Sequence, residues 1–99
     1  MKILAIEKEK SGLTSENFKP YLEHEAKMVW ELYEQGIIRE IYFGKEEHNA
    51  HLILECESID QVKEILNELP LVRNNLIQFE LTTLLPYNGF TRLFSKTKE

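Results

Sequence analysis

A single cysteine, Cys56, leaves this chain without the means for an internal disulfide. The three histidines, His24, His48 and His51, stand at no ligand spacing and have no second cysteine to join them. No metal and no cofactor are therefore expected. There is no glycine-rich phosphate loop, no Ser/His/Asp order that can be read as a triad, no low-complexity segment and no repeat in residue identity. Positive charge is scarce, with 12 Lys and Arg against 17 Asp and Glu and a net charge of −5. The basic residues are interleaved with glutamates, which suits a mixed solvated surface and argues against a nucleic-acid partner. Apolar runs are far too short to cross a bilayer, so no membrane partner is expected. The run Ile3-Leu4-Ala5-Ile6 is shorter than a signal peptide needs before charge returns at Glu7, and the expected location is the cytoplasm.

What remains is the material for one small domain. A chain of 99 residues buries about 60–70% of its unfolded surface, enough for a single modest core. Its apolar fraction of 42% and charged fraction of 29% are ordinary for a globular protein.

The order of elements follows from periodicity. Ile3 to Ile6 is apolar on both parities, which predicts a strand covered on both faces. Ser11-Gly12 marks a loop, and Thr14 or Ser15 can cap a short first turn. Pro20 suits a first turn, so regular helix is expected from near Lys19. Leu22, Ala26, Val29, Trp30 and Tyr33 share a helical face, with Trp30 and Tyr33 expected in the core and pocket lining as the second reading. Gly36 stands where a helix stop belongs. Ile37 to Phe43 and Ala50 to Cys56 read as a hairpin around the polar segment Gly44 to Asn49. Ser58 is an N-cap with Gln61 at the capping-box position, and its helix runs to about Leu69. A loop, Leu71 to Asn75, leads to a last strand, Leu76 to Leu84. The order βαββαβ predicts an α+β, ferredoxin-like protomer with a four-stranded antiparallel sheet.

Pairing Phe43 with Ala50 sorts the hairpin into two faces. Ile37, Arg39, Ile41, Phe43, Leu52, Leu54 and Cys56 should lie under the helices. Ile38, Glu40, Tyr42, His51, Ile53 and Glu55 form a mixed face, too apolar for free solvent and too polar for a dry core.

Glu34-Gln35-Gly36, Ser58-Ile59, Leu69-Pro70-Leu71 and Ile77-Gln78-Phe79-Glu80-Leu81 together resemble the muconolactone isomerase-like group of dimeric α/β-barrel proteins. The resemblance covers Glu25 to Leu84, and Leu-Pro-Leu with its following strand is the most specific part. The tail, Tyr87 to Phe94, is more similar to small uncharacterised proteins related to that group. Ile38 and Phe43 stand where the isomerases commonly carry an aromatic residue and an arginine. A looser similarity to YCII-like proteins runs through His24 ahead of Gly36. The resemblance implies a sheet that faces a second sheet across a dimer axis. It implies, if the protein is an enzyme, a cofactor-free isomerase moving a proton on a lactone or carbonyl acid.

Candidate site residues follow from chemistry. Arg39 on an otherwise apolar face is costly unless paired. Glu25 flanks the helical stripe and is its expected partner. With Tyr33, these two would line a pocket for a small anionic organic ligand. Alternatively Arg39 lies on an edge strand with its head in water. Tyr42 and His51, as cross-strand neighbours, make a second candidate site or a hydrogen-bonded interface contact. Two functions stay open: a small-molecule enzyme, or a ligand-binding or stress-associated accessory protein without turnover.

The mixed face predicts a homodimer through Ile38, Tyr42 and Ile53. The domain is expected over residues 1–85. Residues 86–99 form a tail whose Tyr87, Phe90, Leu93 and Phe94 should pack on the dimer partner, with Ser95 to Glu99 frayed.

Overall fold

The computed structural model describes residues 1–94, so the expected fraying of Ser95 to Glu99 lies outside the described residues. Strand β1 (Lys2–Glu9) is followed by a short helix α1 (Ser15–Phe18), a 3-10 turn (Lys19–Tyr21) and helix α2 (Leu22–Glu34). Then come β2 (Ile38–Phe43), β3 (Ala50–Glu55), α3 (Ile59–Asn67), α4 (Pro70–Arg73), β4 (Ile77–Leu84) and α5 (Thr91–Phe94). The sheet is antiparallel in the order β2-β3-β1-β4, the ferredoxin-like arrangement.

Local chemistry sets the boundaries. Helix α2 ends in a Schellman motif: Ile37 N–H donates to Leu32 O, and Gly36 N–H to Tyr33 O. Gly36 has φ +78°, the left-handed conformation that motif needs. The segment Leu71 to Asn75, expected as loop, contains the helical turn α4 with Pro70 at its first position. It closes by the same device, with Leu76 N–H to Leu71 O, Asn75 N–H to Val72 O, and Asn75 at φ 62°. Ser58 Oγ accepts from Gln61 N–H at 3.1 Å, as its N-cap position predicts.

The core lies between the sheet and α3. Ile3, Ala5, Leu52, Leu54, Val62, Leu66 and Leu69 are buried there. Strand β1 is sealed on one face only: Ile3 and Ala5 are fully buried, while Leu4 and Ile6 on the open face are half-exposed. Phe43 does pair with Ala50, Tyr42 with His51 and Ile41 with Leu52. The register then shifts between Ile38 and Glu40. This β-bulge corrects the face assignment. Ile38 pairs with Leu54 and is 1% exposed in the protomer core, so it is not an interface residue. The extra residue in the bulge is Arg39, on an edge strand.

Candidate functional site

Helix α2 does not lie flush on the sheet. Every one of its residues stays at least partly exposed, and a cleft of about 1310 Å³ opens between it and the sheet face. Its apolar stripe lines this cleft, with Val29 also touching the core, and Trp30 and Tyr33, expected in the core, are pocket lining. Trp30 is 57% exposed and its ring lies 6.1 Å from that of Tyr33. Opposite are Ile41, Phe43, Leu52, Ile77 and Phe79. The fully buried helical residues of the core come from α3, Val62 and Leu66, while Met28, Val29 and Leu32 of α2 pack against it only partly buried.

Glu25, Tyr33 and Arg39 all line this one cleft. The expected pairing of Glu25 with Arg39 does not occur. Glu25 Oε1 accepts a hydrogen bond from Leu71 N–H at 2.9 Å. Arg39 Nε donates to the Gly36 carbonyl, and among the described residues no carboxylate forms an ion pair with it. Geometry explains this. From Glu25 to Gly36 the chain climbs roughly 16 Å of helix, so the two groups serve opposite ends of the cleft.

Burial pushes the Glu25 carboxyl above the usual range, and the nearby Glu7 charge adds to that. The hydrogen bond from Leu71 and the neighbouring His24 work in the other direction. Glu7 itself is fixed in the cleft wall, where its Oε1 accepts from Ala50 N–H at 2.7 Å. Four carboxylates line the cleft, Glu7, Glu9, Glu25 and Glu40, against Lys19, Arg39 and His48 as bases. Lys19 is already engaged with Glu16 at 3.1 Å.

Sequence reasoning placed His48 in a loop. In the structure it adopts φ 54° and stacks on Phe43 with centroids 4.1 Å apart, at the cleft edge. The polar hairpin gave no period that could have shown this.

Tyr42 and His51 are register partners, yet they do not bond to each other. The Tyr42 hydroxyl donates to Glu40 at 2.7 Å, and that bond holds the phenol above its ordinary range. His51 Nδ1 lies 3.1 Å from the Asn49 carbonyl. With Leu4, Ile53 and Leu84 they line a shallow hollow on the open face of the sheet. No three His, Cys, Asp or Glu side chains cluster as metal ligands among the described residues. Among the described residues no helix is long and apolar enough to cross a membrane.

Known structures match this fold. Muconolactone isomerase superposes with a TM-score of 0.71 at 13% identity, covering 100% of this chain and 98% of that one. This chain has the muconolactone isomerase-like fold. A 5-chloro-2-hydroxyhydroquinone dehydrochlorinase from Burkholderia phenoliruptrix, in complex with 2,5-dihydroxybenzoquinone, superposes with a TM-score of 0.62 at 17% identity. That match covers 90% of this chain and 98% of that one. No family model and no curated protein matches the sequence.

Proposed function

We propose that the cleft under α2 binds a small organic acid, and that Glu25 moves a proton on it without a cofactor. One observation carries the reading: Glu25 is a partly buried carboxylate in an apolar cleft, oriented by Leu71 N–H and with its pKa raised by burial. A carboxylate so placed is a stronger base than one in water and is poised for general acid–base work. The bond to Leu71 occupies Oε1 and holds the carboxyl in place.

The other carboxylates of the cleft repel an anion, so Arg39 is the group that attracts one. Its position at the far end suits drawing the acid in or holding the remote end of a longer substrate. The names of the two matching structures, an isomerase of a lactone and a dehydrochlorinase bound to a quinone, support small oxygenated rings as the substrate class. A cyclic lactone or carbonyl acid with an acidic C–H fits Glu25.

The test is proton exchange. The protein is incubated in deuterated buffer with a panel of small lactones and 2-oxo acids, and loss of the C–H signal is followed by NMR. Catalysed exchange that disappears in Glu25→Gln supports the reading. Tight binding without exchange assigns the cleft to ligand carriage instead, the role of an accessory protein.

A further inference from the structure

Taking a C–H proton from beside a carbonyl group puts negative charge on the carbonyl oxygen. At Glu25 that charge develops in a cleft already lined by Glu7, Glu9 and Glu40. A donor fixed at such an oxygen is worth about 10²–10³ in rate. Lys19, Arg39 and His48 are the cleft's cationic side chains among the described residues. Lys19 is engaged by Glu16. Arg39 serves the far end, where it donates to the Gly36 carbonyl.

His48 stands at the Glu25 end. Helix α2 stops at Glu34 and β2 starts at Ile38, so the two run in opposite directions and the end of β2 lies beside the start of α2. Phe43 is roughly 13 Å along β2 from Arg39, toward Glu25. The His48 ring stacks on Phe43, 14° from parallel, on the rim of the cleft. The next two residues are tied to Glu7, the carboxylate whose charge acts on Glu25. The Asn49 side-chain amide donates to the Glu7 carbonyl at 3.2 Å, and Ala50 N–H donates to the Glu7 carboxylate. The loop is closed by His48 N–H to the Gly44 carbonyl at 2.9 Å and Gly44 N–H to the Asn49 carbonyl at 2.8 Å. His48 holds φ 54° there, a conformation that glycine or asparagine takes at less cost. Backbone strain of this kind collects at functional sites.

We infer that His48 is the catalytic acid of this cleft, giving a proton to the substrate's carbonyl oxygen as Glu25 takes one from the adjacent carbon. The inference rests on the proton transfer proposed for Glu25. The C–H electron pair becomes the C=C bond of an enol, the carbonyl π pair moves onto oxygen, and that oxygen takes the proton of the His48 imidazolium. Glu25 ends protonated and His48 neutral. The reverse steps restore the carbonyl, and carbon receives deuterium when the Glu25 proton has exchanged with solvent. The charged and titratable groups that share the cleft with His48 are Glu7 and Glu9 of β1, Lys19 of the 3-10 turn, Glu25 and Tyr33 of α2, and Arg39, Glu40 and Tyr42 of β2. Its own loop adds Lys45, Glu46 and Glu47. Glu25 titrates in the same reaction, so the pH profile is what separates the two.

Deuterium exchange into the panel of small lactones and 2-oxo acids is followed from about pH 5 to 9, a range that spans histidine titration, in the full chain and in His48→Asn. Asparagine suits φ 54° and has no proton to give, so the hairpin keeps its shape and the melting midpoint stays with the parent's. The parent's rate should fall at alkaline pH as the imidazolium loses its proton. His48→Asn should lose about 10²–10⁴-fold in kcat with KM little changed, and its residual rate should no longer show that alkaline fall. A variant with the parent's rate and pH profile overturns the inference and leaves Glu25 in its role. A slower variant that keeps the alkaline fall overturns it too, because His48 then only shapes the loop. A parent that exchanges nothing in the panel overturns the reading of Glu25 and this inference together.

Discussion

Glu25 and Leu71, 46 residues apart in sequence, are joined by a 2.9 Å bond from the Leu71 backbone N–H to the Glu25 carboxylate. The bond ties α2 to the turn α4 on one side of the cleft. It also supplies a partner for a carboxyl that burial would otherwise leave costly to ionise.

Ionising Glu25 is expected to oppose folding. Its folded pKa is raised above the unfolded value, so the native state binds its proton more tightly. Stability contributed by this group is present at low pH and is lost as pH rises from the unfolded pKa through the raised folded one. Glu25→Gln keeps an oxygen for Leu71 N–H but cannot ionise. Urea midpoints measured from pH 4 upward should fall with pH less steeply in Glu25→Gln than in the parent. Parallel curves for the two would remove the burial effect assigned to this residue.

Arg39→Met should separate binding from stability. The guanidinium is exposed, so the melting midpoint should move little. Affinity for a small carboxylate should drop, and the difference between parent and variant should shrink at high salt. Salt-independent, unchanged affinity would take Arg39 out of ligand capture.

The open face of the sheet should pair two protomers. Leu4, Tyr42 and Ile53 lie there without a covering layer in the protomer. Ile53→Lys puts a buried-face charge into that contact and should yield a chain of half the parent's mass by light scattering. A monomeric parent at micromolar concentration would end the proposal.

Leu54 tests the core independently of any site. It is fully buried and pairs with both Ile3 and Ile38. Leu54→Ala should cost about 2–5 kcal/mol in chemical denaturation. A cost well under 1 kcal/mol would mean the site collapses around the lost atoms.

The glycine at the end of α2 makes a sharper local test. Gly36 has φ +78°, and a Cβ there meets only Arg39 Nε at 3.9 Å, an ordinary contact. The expected cost of Gly36→Ala is therefore backbone strain alone, about 1–2 kcal/mol.

The order of strands and helices was legible because each signal is local. Ser58 before its helix, Gly36 after one, and alternation in the hairpin act over a few residues. The pairing of Phe43 with Ala50 followed from them. Even the helical stripe of α2 was correctly located. What lay under it was not, because periodicity reports that a face is apolar and not whether a core or a cleft receives it. Two competing helices meet one sheet, and only the folded chain decides that α3 seals its half while α2 stands off. The bulge at Arg39 was equally invisible. One extra residue in an edge strand moved Ile38 into the core and sent Arg39 to the Gly36 carbonyl, at the opposite end of the cleft from Glu25. Register is a relation between strands, and the partner of a buried charge is set by distances that sequence spacing does not contain.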